Sequence, residues 1–197
     1  MTVMTTDPRT RRTVAALRAA LREALATTPL DDLSVSELCR VAGVRRTTFY
    51  THHHSVGELL ATMLVERMEA PLALPETTGM STAELATRFQ DTLVEALRVI
   101  TDDRQLFRAA FDSSASSLLR RSLEASFTAR LEIAIDVWRG HGVALDVFDP
   151  VAVPFTAAAL GGAVTAWALS DRDDPVAWAD SIRDQMPPWW PRAAQAG

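Results

Sequence analysis

Residues 45–54 bring together two arginines, three threonines, one tyrosine and three histidines, a concentration of hydrogen-bond donors within ten positions. Arg45, Arg46, Thr47 and Thr48 stand in a row. Arginine can donate paired hydrogen bonds to guanine or phosphate, and the methyl and hydroxyl of threonine suit base edges. A short helix that presents such residues at its N-terminal end has what a reader of the DNA major groove needs. The segment therefore predicts DNA binding.

The triplet His52-His53-His54 raises metal binding as an alternative. Adjacent helical residues point about 100° apart and do not share a face. His141 is the only other histidine and Cys39 the only cysteine, so no second cluster completes a metal site. The sequence also lacks paired Glu-x-x-His motifs, a glycine-rich phosphate loop and a nucleophile elbow. We therefore predict no metal, no other cofactor and no enzyme activity.

Two short helices joined by a glycine are predicted to position these residues. Ser34 and Glu37 have the spacing of a capping box, in which the hydroxyl accepts from the third backbone N–H and the carboxylate reaches back. Gly43 suits a left-handed turn. In the second helix, Phe49 is the aromatic residue expected to be buried. The first helix of this pair carries an apolar stripe of Val35, Leu38, Val41 and Ala42. The alternative is a helix pair that packs without touching DNA.

The rest of the chain shows helical periodicity and no sustained period-two alternation, which predicts an all-α protein. Pro71 and Pro75 interrupt the pattern, so we place a domain boundary at 70–80. A DNA-binding domain is expected over 9–69 and a second helical domain over 81–190. The predicted helices outside the pair described above span about 8–27, 55–69, 81–97, 105–112, 116–139, 154–170 and 175–186.

The charge is unevenly distributed along the chain, whose formal net charge is −5. Residues 1–60 hold eight arginines and six acidic residues, whereas the remainder holds twelve arginines and nineteen acidic residues. A mildly basic N-terminal segment followed by an acidic remainder suits a DNA-binding domain joined to a domain that does not contact DNA. The single Cys39 allows no intramolecular disulfide and suits a reducing cytoplasm. We expect it to pack in the core, with redox sensing as the alternative.

Two segments of the chain bear on where the protein is located in the cell. The N-terminus does not have the pattern of a signal peptide. Between Asp149 and Asp171 no residue is charged, and this window is long enough to span a bilayer. Its prolines, glycines and many alanines, without a flanking basic cluster, favour a buried or subunit-interface helix. We therefore predict a cytoplasmic protein with no membrane contact.

A series of short motifs covers residues 9–66 without a gap. It comprises a first helix at 11–26, then Leu33-Ser34-Val35, Val41-Ala42-Gly43-Val44, Thr48-Phe49-Tyr50, His52 and Glu58-Leu59-Leu60. This order resembles the N-terminal domain of the TetR (tetracycline-repressor) family of transcriptional regulators. The resemblance implies a three-helix, helix-turn-helix DNA-binding domain. It also implies phosphate contacts from Tyr50 and His52, with Ser34 capping the preceding helix near the DNA backbone.

Three positions depart from the family pattern. Val56 stands where the family usually has a lysine that contacts phosphate at the start of the fourth helix. His53 stands where an aromatic residue, commonly phenylalanine, packs under the recognition helix. Thr47 replaces a glycine or another small residue. The missing lysine shifts the expected DNA contact towards Arg45, Arg46 and the N-terminal arm.

The same resemblance implies that the C-terminal domain binds a small-molecule effector. Large apolar side chains on several predicted helices could line such a cavity: Phe89, Phe107, Phe111, Phe127, Trp138, Phe148, Phe155 and Trp167. Ordinary core packing is the alternative for each of them. The adjacent Trp189 and Trp190 of the Pro187–Pro191 tail are expected to cover apolar surface nearby.

The last two predicted helices carry small and apolar residues at helical spacing, which lets two helices approach closely. The resemblance implies that they form a four-helix bundle in a homodimer. A helix buried within one subunit is the alternative. The expected interface residues are Phe155, Ala159, Gly162, Ala166, Leu169 and Ile182.

Two functions follow from these observations. The first is a dimeric repressor that a small-molecule effector releases from a palindromic operator in double-stranded DNA. The second is a helical adaptor on the same scaffold that binds a protein partner and has weak or no DNA affinity. Val56 and the acidic net charge motivate this second hypothesis.

Overall fold

A computed structural model describes residues 8–73 and 79–190 of the chain. In these residues the regular structure is helical and no strand occurs, which confirms the all-α prediction. Pro75, Pro191 and the N-terminal arm before Pro8 lie outside the described residues. The helices are α1 Pro8–Leu25, α2 Val35–Ala42, α3 Arg46–Tyr50, α4 Val56–Glu69, α5 Thr82–Asp102, α6 Arg104–Phe111, α7 Ser116–Gly140, α8 Asp149–Leu169 and α9 Pro175–Gln185, with a 3₁₀ turn at Leu30–Asp32.

The backbone divides into two compact units. Unit 1 contains the described residues up to Leu64 together with Gln105–Leu119. Unit 2 contains Val65–Arg104 and the described residues from Arg120 onwards. One boundary thus falls inside α4 and another inside α7.

Unit 1 is built around α1 and α2, which pack on each other, with α3 packed on α2. Its core is apolar and fully enclosed: Leu17, Leu21, Phe49, Leu59, Leu60 and Leu64 are each 0% exposed. Burying a side chain of this size contributes about 1.5–3 kcal/mol relative to leaving it in water. This core holds α3 with one face inward and leaves the opposite face to solvent.

In unit 2, α5 packs on α8 and α9. Trp167 of α8 is fully buried. Its indole Nε1–H donates to the Leu97 carbonyl at 2.9 Å. The Arg104 guanidinium lies 4.9 Å from the centre of the Trp167 ring. A satisfied indole and a stacked cation make Trp167 a structural core residue.

The starts of α5 and α9 follow from local side-chain chemistry. Ser81 and Glu84 form a complete capping box at α5. Asp174 caps α9 by accepting from the N–H groups of Val176 and Ala177 at 3.1 and 3.0 Å. Pro175 then occupies the first turn, where a missing N–H costs nothing.

The start of α8 differs from the prediction, which placed it at 154. The helix begins at Asp149 and contains Pro154. Pro154 and Pro150 are both exposed, so water can satisfy the carbonyl that the proline leaves without a partner. The Arg139 guanidinium pairs with the Asp149 carboxylate at 2.9 and 2.5 Å and holds the first turn. These bonds lower the pKa of Asp149.

Among the described residues, α8 is long and apolar enough to cross a bilayer by length and composition. Within its most apolar window, 44% of the residues are buried inside the protein. The buried side of α8 includes Ala157, Leu160, Val164 and Trp167. This side belongs to the core of unit 2.

Candidate nucleic-acid interface

The helix that precedes the candidate DNA-binding segment starts at the predicted cap. The Ser34 hydroxyl accepts from the Glu37 N–H at 3.1 Å. The predicted return bond from the Glu37 carboxylate is replaced by an ion pair with Arg40, at 3.0 and 2.5 Å. Hydrogen bonding to Arg40 lowers the pKa of Glu37. Because the Glu37 carboxylate pairs with the exposed Arg40 side chain one turn along the helix, it does not accept from the N–H of the N-cap residue Ser34.

Gly43 forms the predicted turn between α2 and α3. Its backbone is left-handed, with φ 65° and ψ 26°. Its N–H group donates to the carbonyls of Cys39 and Arg40, and the Val44 N–H donates to the Cys39 carbonyl at 3.0 Å. Only glycine adopts this conformation without a steric penalty. The turn thus sets where α3 begins.

The structure places the predicted DNA contacts at the exposed start of α3. Arg45 is the N-cap residue, and Arg46 and Thr47 occupy the first turn; all three are exposed, while Thr48 is half-buried. No acidic residue lies in this first turn. The unpaired N–H groups at a helix N-terminus attract anions, and the two guanidinium groups add formal positive charge beside them. The geometry therefore suits phosphate and base-edge contacts.

The buried side of α3 is aromatic. Phe49 is fully enclosed. The Tyr50 ring meets it edge-on at 5.5 Å and the His53 ring lies 5.8 Å away. His53 is buried and fills the position where the TetR pattern commonly has phenylalanine. An imidazole thus replaces that ring beneath the helix.

The histidine triplet does not converge on one point. His52 and His54 are exposed whereas His53 is buried. The His54 N–H and ring Nδ1 both contact the Glu58 carboxylate, at 2.6 and 2.9 Å. Within residues 8–73 and 79–190, no group of three or more His, Cys, Asp or Glu side chains is arranged for a metal ion. Tyr50, the last residue of α3, and His52, two residues beyond it, are both exposed.

The start of α4 is defined by Ser55 and Glu58. The Ser55 hydroxyl accepts from the Glu58 N–H at 3.0 Å. The pKa of Glu58 is lowered chiefly because its carboxylate accepts from the His54 N–H. Val56, at the position where the TetR pattern usually has a lysine, is only 5% exposed. Its side chain is therefore part of the core of unit 1.

The close approach of Gly57 to Ala115 was not predicted from the sequence. A Cβ atom built on Gly57 would lie 2.9 Å from the Cβ of Ala115, closer than side chains approach. The backbone of α4 can therefore lie against the residue before α7 only because position 57 has no side chain. A glycine in the first turn of a predicted helix was the available signal, since glycine there is otherwise unfavourable.

Cys39 lies on the inner face of α2 and is 3% exposed. Burial raises the pKa of its thiol, and the nearby Arg46 opposes this shift. A buried, protonated thiol is a poor nucleophile. This environment agrees with the packing role expected for Cys39.

The predicted dimer residues of α8 share the solvent-facing side of unit 2. Phe155 and Leu169 are 65% and 42% exposed, and Ala159, Gly162 and Ala166 are exposed between them. A Cβ on Gly162 would meet nothing within 4 Å. The sixth residue, Ile182 of α9, is 8% exposed and faces the core of its own unit. On α9, Val176 is a large apolar residue that is exposed.

Unit 2 contains a cavity of about 70 Å³. Three of the eight aromatic residues considered for an effector site line it: Phe89, Phe127 and Trp138. Phe107 and Phe111 belong to unit 1, Phe148 and Phe155 are exposed, and Trp167 is in the core. The remaining lining residues are Leu72, Thr92, Leu93, Arg130, Leu131, Ala134, Leu160 and Trp190.

The tryptophans of the C-terminal tail cover Trp138. The centres of the Trp190 and Trp189 rings lie 4.8 and 6.0 Å from that of Trp138. The tail therefore covers apolar surface of unit 2 in its own chain, as expected for two adjacent tryptophans.

Three solved structures with similar folds are described as regulators or activators. The fatty acid degradation regulator FadR from Bacillus halodurans aligns with a TM-score of 0.55 and 14% identity, over 91% of this chain and 95% of that one. A protein described as a TetR-family transcriptional regulator from Syntrophomonas wolfei aligns at 0.59 and 15%, over 89% and 93%. The dihydroxyacetone kinase operon activator DhaS aligns at 0.53 and 16%, over 87% and 92%. The chain matches no protein-family profile and no curated protein sequence.

Proposed function

We propose that this chain, which has the fold of TetR-family transcriptional regulators, binds double-stranded DNA as a homodimer and regulates transcription. The main support is the start of α3, where Arg45, Arg46 and Thr47 are exposed above a buried Phe49. A helix that exposes adjacent polar side chains, and that is held in place by a buried aromatic side chain, is suited to reading the major groove. The regulators with similar folds agree with this function.

In the proposed complex, the start of α3 enters the major groove. Arg45 and Arg46 reach guanine or phosphate, and Thr47 and Thr48 meet base edges. Tyr50 and His52 bind phosphate. Ser34, at the start of α2, lies beside the DNA backbone.

The proposed dimer forms through the exposed apolar side of α8. Phe155 and Leu169 bracket three small residues, Ala159, Gly162 and Ala166, so a second α8 can approach closely. Two-fold symmetry then places two recognition helices about 34–36 Å apart and requires a palindromic operator. Val176 replaces Ile182 as the α9 residue that we assign to this interface, because Ile182 is buried in its own subunit.

We further propose that a small-molecule effector bound in unit 2 releases a repressor from its operator. The effector must favour one arrangement of the dimer, since a ligand with equal affinity for both shifts nothing. A coupling free energy of about 1–3 kcal/mol changes operator affinity roughly 5–150-fold. The α4 helix, which has residues in both units, is the proposed connector. DhaS is named an activator, so a reporter assay must measure the sign of regulation; we propose repression.

Selection of binding sites from a random duplex library by the full-length protein tests the proposal. We expect a palindrome to be enriched and to bind the dimer in fluorescence anisotropy. The double variant Arg45→Ala/Arg46→Ala should lose this binding. Arg121→Ala, at an exposed position of α7 in unit 2, is the matched control and should not change it. Failure to enrich any site, or full affinity in the double variant, would overturn the proposal.

The adaptor remains the second candidate because of two observations. Val56 is buried where the family has a phosphate-binding lysine, and the chain has a net charge of −5. A dimer that selects no DNA but is captured by a protein partner through the start of α3 would support the adaptor. Competition by duplex DNA for the same arginines would instead support the regulator.

A further inference from the structure

The C-terminal tail places an indole from its own chain in the wall of the unit 2 cavity. The described part of this tail, residues 187–190, follows α9, and its last residue, Trp190, lines the cavity. The centre of the Trp190 ring lies 4.8 Å from that of Trp138, with the two rings at 68°. The Phe89 ring also meets Trp138 edge-on, at 5.1 Å. Trp190 therefore occupies a place that is built from aromatic rings.

The tail can leave this place without unfolding a helix. Pro187 and Pro188 cannot continue α9, and neither has an N–H group to donate. The Trp190 N–H donates to the Pro187 carbonyl at 2.9 Å, so this bond lies within the tail. The Trp190 side chain is half-buried. Leaving the cavity therefore costs Trp190 its ring contacts and breaks no helical hydrogen bond.

The remainder of the lining favours a ligand without charge. Apart from the two indoles, its polar members are Thr92 and Arg130, and no described lining residue is acidic. The Thr92 hydroxyl donates to the Phe89 carbonyl at 2.7 Å. The Arg130 guanidinium is turned to Ser126, whose carbonyl and hydroxyl both accept from it, and to the Leu72 carbonyl. Both polar side chains thus have their hydrogen bonds elsewhere, and the other lining side chains are apolar.

The size of the cavity requires that a ligand displace Trp190. The open volume is about 70 Å³, whereas pockets for drug-sized ligands measure about 300–1,000 Å³. When the Trp190 ring leaves, the space it vacates has the shape of an indole. A flat aromatic ring in that space recovers the edge-on packing against Trp138.

We propose that Trp190 is a built-in ligand of this cavity, and that a neutral aromatic molecule of about the size of indole binds by displacing it. This inference rests on the proposed function, because it assigns the chemical class of the effector. A side chain on a short tether has an effective concentration of roughly millimolar at its site. A free ligand must compete with it, so the tail sets the concentration at which the effector acts.

Trp189 gives the displaced tail a route to the proposed dimer surface. The centre of its ring lies 6.0 Å from that of Trp138. Trp189 also lines a surface groove together with Phe148, Val151 and Phe155. Phe155 belongs to the exposed side of α8 that we assign to the dimer. When Trp190 leaves the cavity, the adjacent Trp189 moves in this groove, so ligand binding alters one end of the dimer surface.

Calorimetric titration of the full-length chain with free indole, in the absence of DNA, tests the site. Indole is the Trp190 ring without its tether. We expect Trp190→Ala to bind indole roughly tenfold more tightly than the unmodified chain, because the internal competitor is gone. Indole should also raise the unfolding temperature of Trp190→Ala. Equal affinity in the two chains, or no binding of indole by Trp190→Ala, overturns the proposal.

A second measurement uses the unmodified chain and does not depend on the folding of a variant. ¹⁵N-indole NMR gives one N–H signal for each of the five tryptophans. Saturating indole should move the Trp190 signal to the position of a solvent-exposed indole. The Trp178 signal should stay in place, since its N–H donates to the Ala163 carbonyl at 3.3 Å and its ring does not line the cavity. Binding of indole that leaves the Trp190 signal unmoved overturns the displacement.

Two further variants locate the ligand. Trp178→Ala is the matched control, because it removes another half-buried indole of unit 2 that does not line the cavity. It should gain no affinity for indole. Ala134 lines the cavity and is 3% exposed, so Ala134→Leu in the Trp190→Ala chain should refill the space and abolish the gain. An equal gain in Trp178→Ala, or a gain that survives Ala134→Leu, overturns the site.

The aliphatic alcohol 1-octanol tests the ligand class. It is flexible and cannot pack edge-on against Trp138, so we expect Trp190→Ala to bind it about fivefold more weakly than indole. Octanol binding that equals or exceeds that of indole overturns the aromatic class.

Operator affinity is measured separately, with and without indole. If indole displaces Trp190 and operator affinity is unchanged, the effector role fails while the site stands. If the protein binds its operator but Trp190→Ala does not bind indole, the site fails while the proposed DNA-binding function stands.

Discussion

The Asp31 carboxylate accepts hydrogen bonds from both the backbone N–H and the hydroxyl of Ser114. The two carboxylate oxygens lie 3.2 Å from the Ser114 nitrogen, and one lies 2.5 Å from the hydroxyl oxygen. The contact joins the 3₁₀ turn before α2 to the loop before α7. Unit 1 thereby connects residues that the sequence analysis assigned to different domains, 9–69 and 81–190.

Asp31→Ala is expected to destabilise the protein by roughly 0.5–1.5 kcal/mol, because it removes this group of hydrogen bonds at an exposed site. Urea unfolding measures the loss. Asp32→Ala, in the same turn and also exposed, is the control and should stay within about 0.5 kcal/mol of the unmodified chain. Equal losses in both variants would show that the contact with Ser114 contributes nothing.

Gly57→Ala should destabilise the protein, although alanine is the better helix former. The new Cβ would sit 2.9 Å from that of Ala115. Overpacking costs about 1–3 kcal/mol and outweighs or cancels the ~1 kcal/mol gain in helix propensity. In an Ala115→Gly background the same substitution should become neutral or stabilising. Gly140→Ala, where a Cβ meets nothing within 4 Å, is the control in thermal unfolding.

Arg46→Ala should weaken binding to the selected operator by roughly 1–3 kcal/mol if Arg46 reads a base. Arg46→Lys separates base reading from charge, since lysine keeps the charge but loses the paired donors of guanidinium. If Arg46 reads a base, the Arg46→Lys variant should bind the operator nearly as weakly as the Arg46→Ala variant. If Arg46 binds phosphate, the Arg46→Lys variant should recover affinity for the operator. Anisotropy titrations at fixed salt measure both.

Gly162→Leu should produce folded monomers. The position is open to solvent within one subunit, so the chain itself can accept the larger side chain. Across the proposed interface, leucine would force the paired α8 helices apart. Sedimentation velocity measures the change in mass. Ala125→Leu, at an exposed position of α7, is the control; a dimer that persists in Gly162→Leu would place the interface elsewhere.

Glu58 should contribute stability that disappears in acid. Its pKa in the folded protein is lowered, chiefly by the hydrogen bond from the His54 N–H. The contribution is therefore present above the pKa of an unfolded glutamate, about 4.3, and is lost as the pH falls through the lower folded value. The difference in unfolding free energy between the unmodified chain and Glu58→Gln should shrink from pH 6 to pH 3. A difference that stays constant over this pH range would contradict the prediction.

Helix caps and turns that depend on residues close together in the chain were predictable from the sequence. The Ser81–Glu84 capping box and the Gly43 turn depend on atoms within a few residues of each other, so spacing alone identifies them. Ser34 caps α2 as expected, but Glu37 had a second possible partner in Arg40. Spacing does not decide between two local partners for one carboxylate, and the structure shows the ion pair.

The start of α8 shows where local rules fail. Pro154 was expected in the first turn, yet the helix begins five residues earlier, at Asp149, whose carboxylate pairs with Arg139 of α7. The side-chain periodicity of α9 likewise suggested Ile182 for a subunit contact, whereas packing within unit 2 buries it. A periodic pattern indicates that a face is apolar and leaves open which surface covers it.

By itself, the sequence determined the all-helical fold and the row of polar residues at the start of α3, because helix periodicity, caps and turns act over a few residues. Only the tertiary structure decided that Ala115 lies against Gly57, and that Trp190 packs against Trp138 in the wall of a cavity. These contacts join residues more than fifty positions apart. Their energies depend on close packing and desolvation, which no local spacing records.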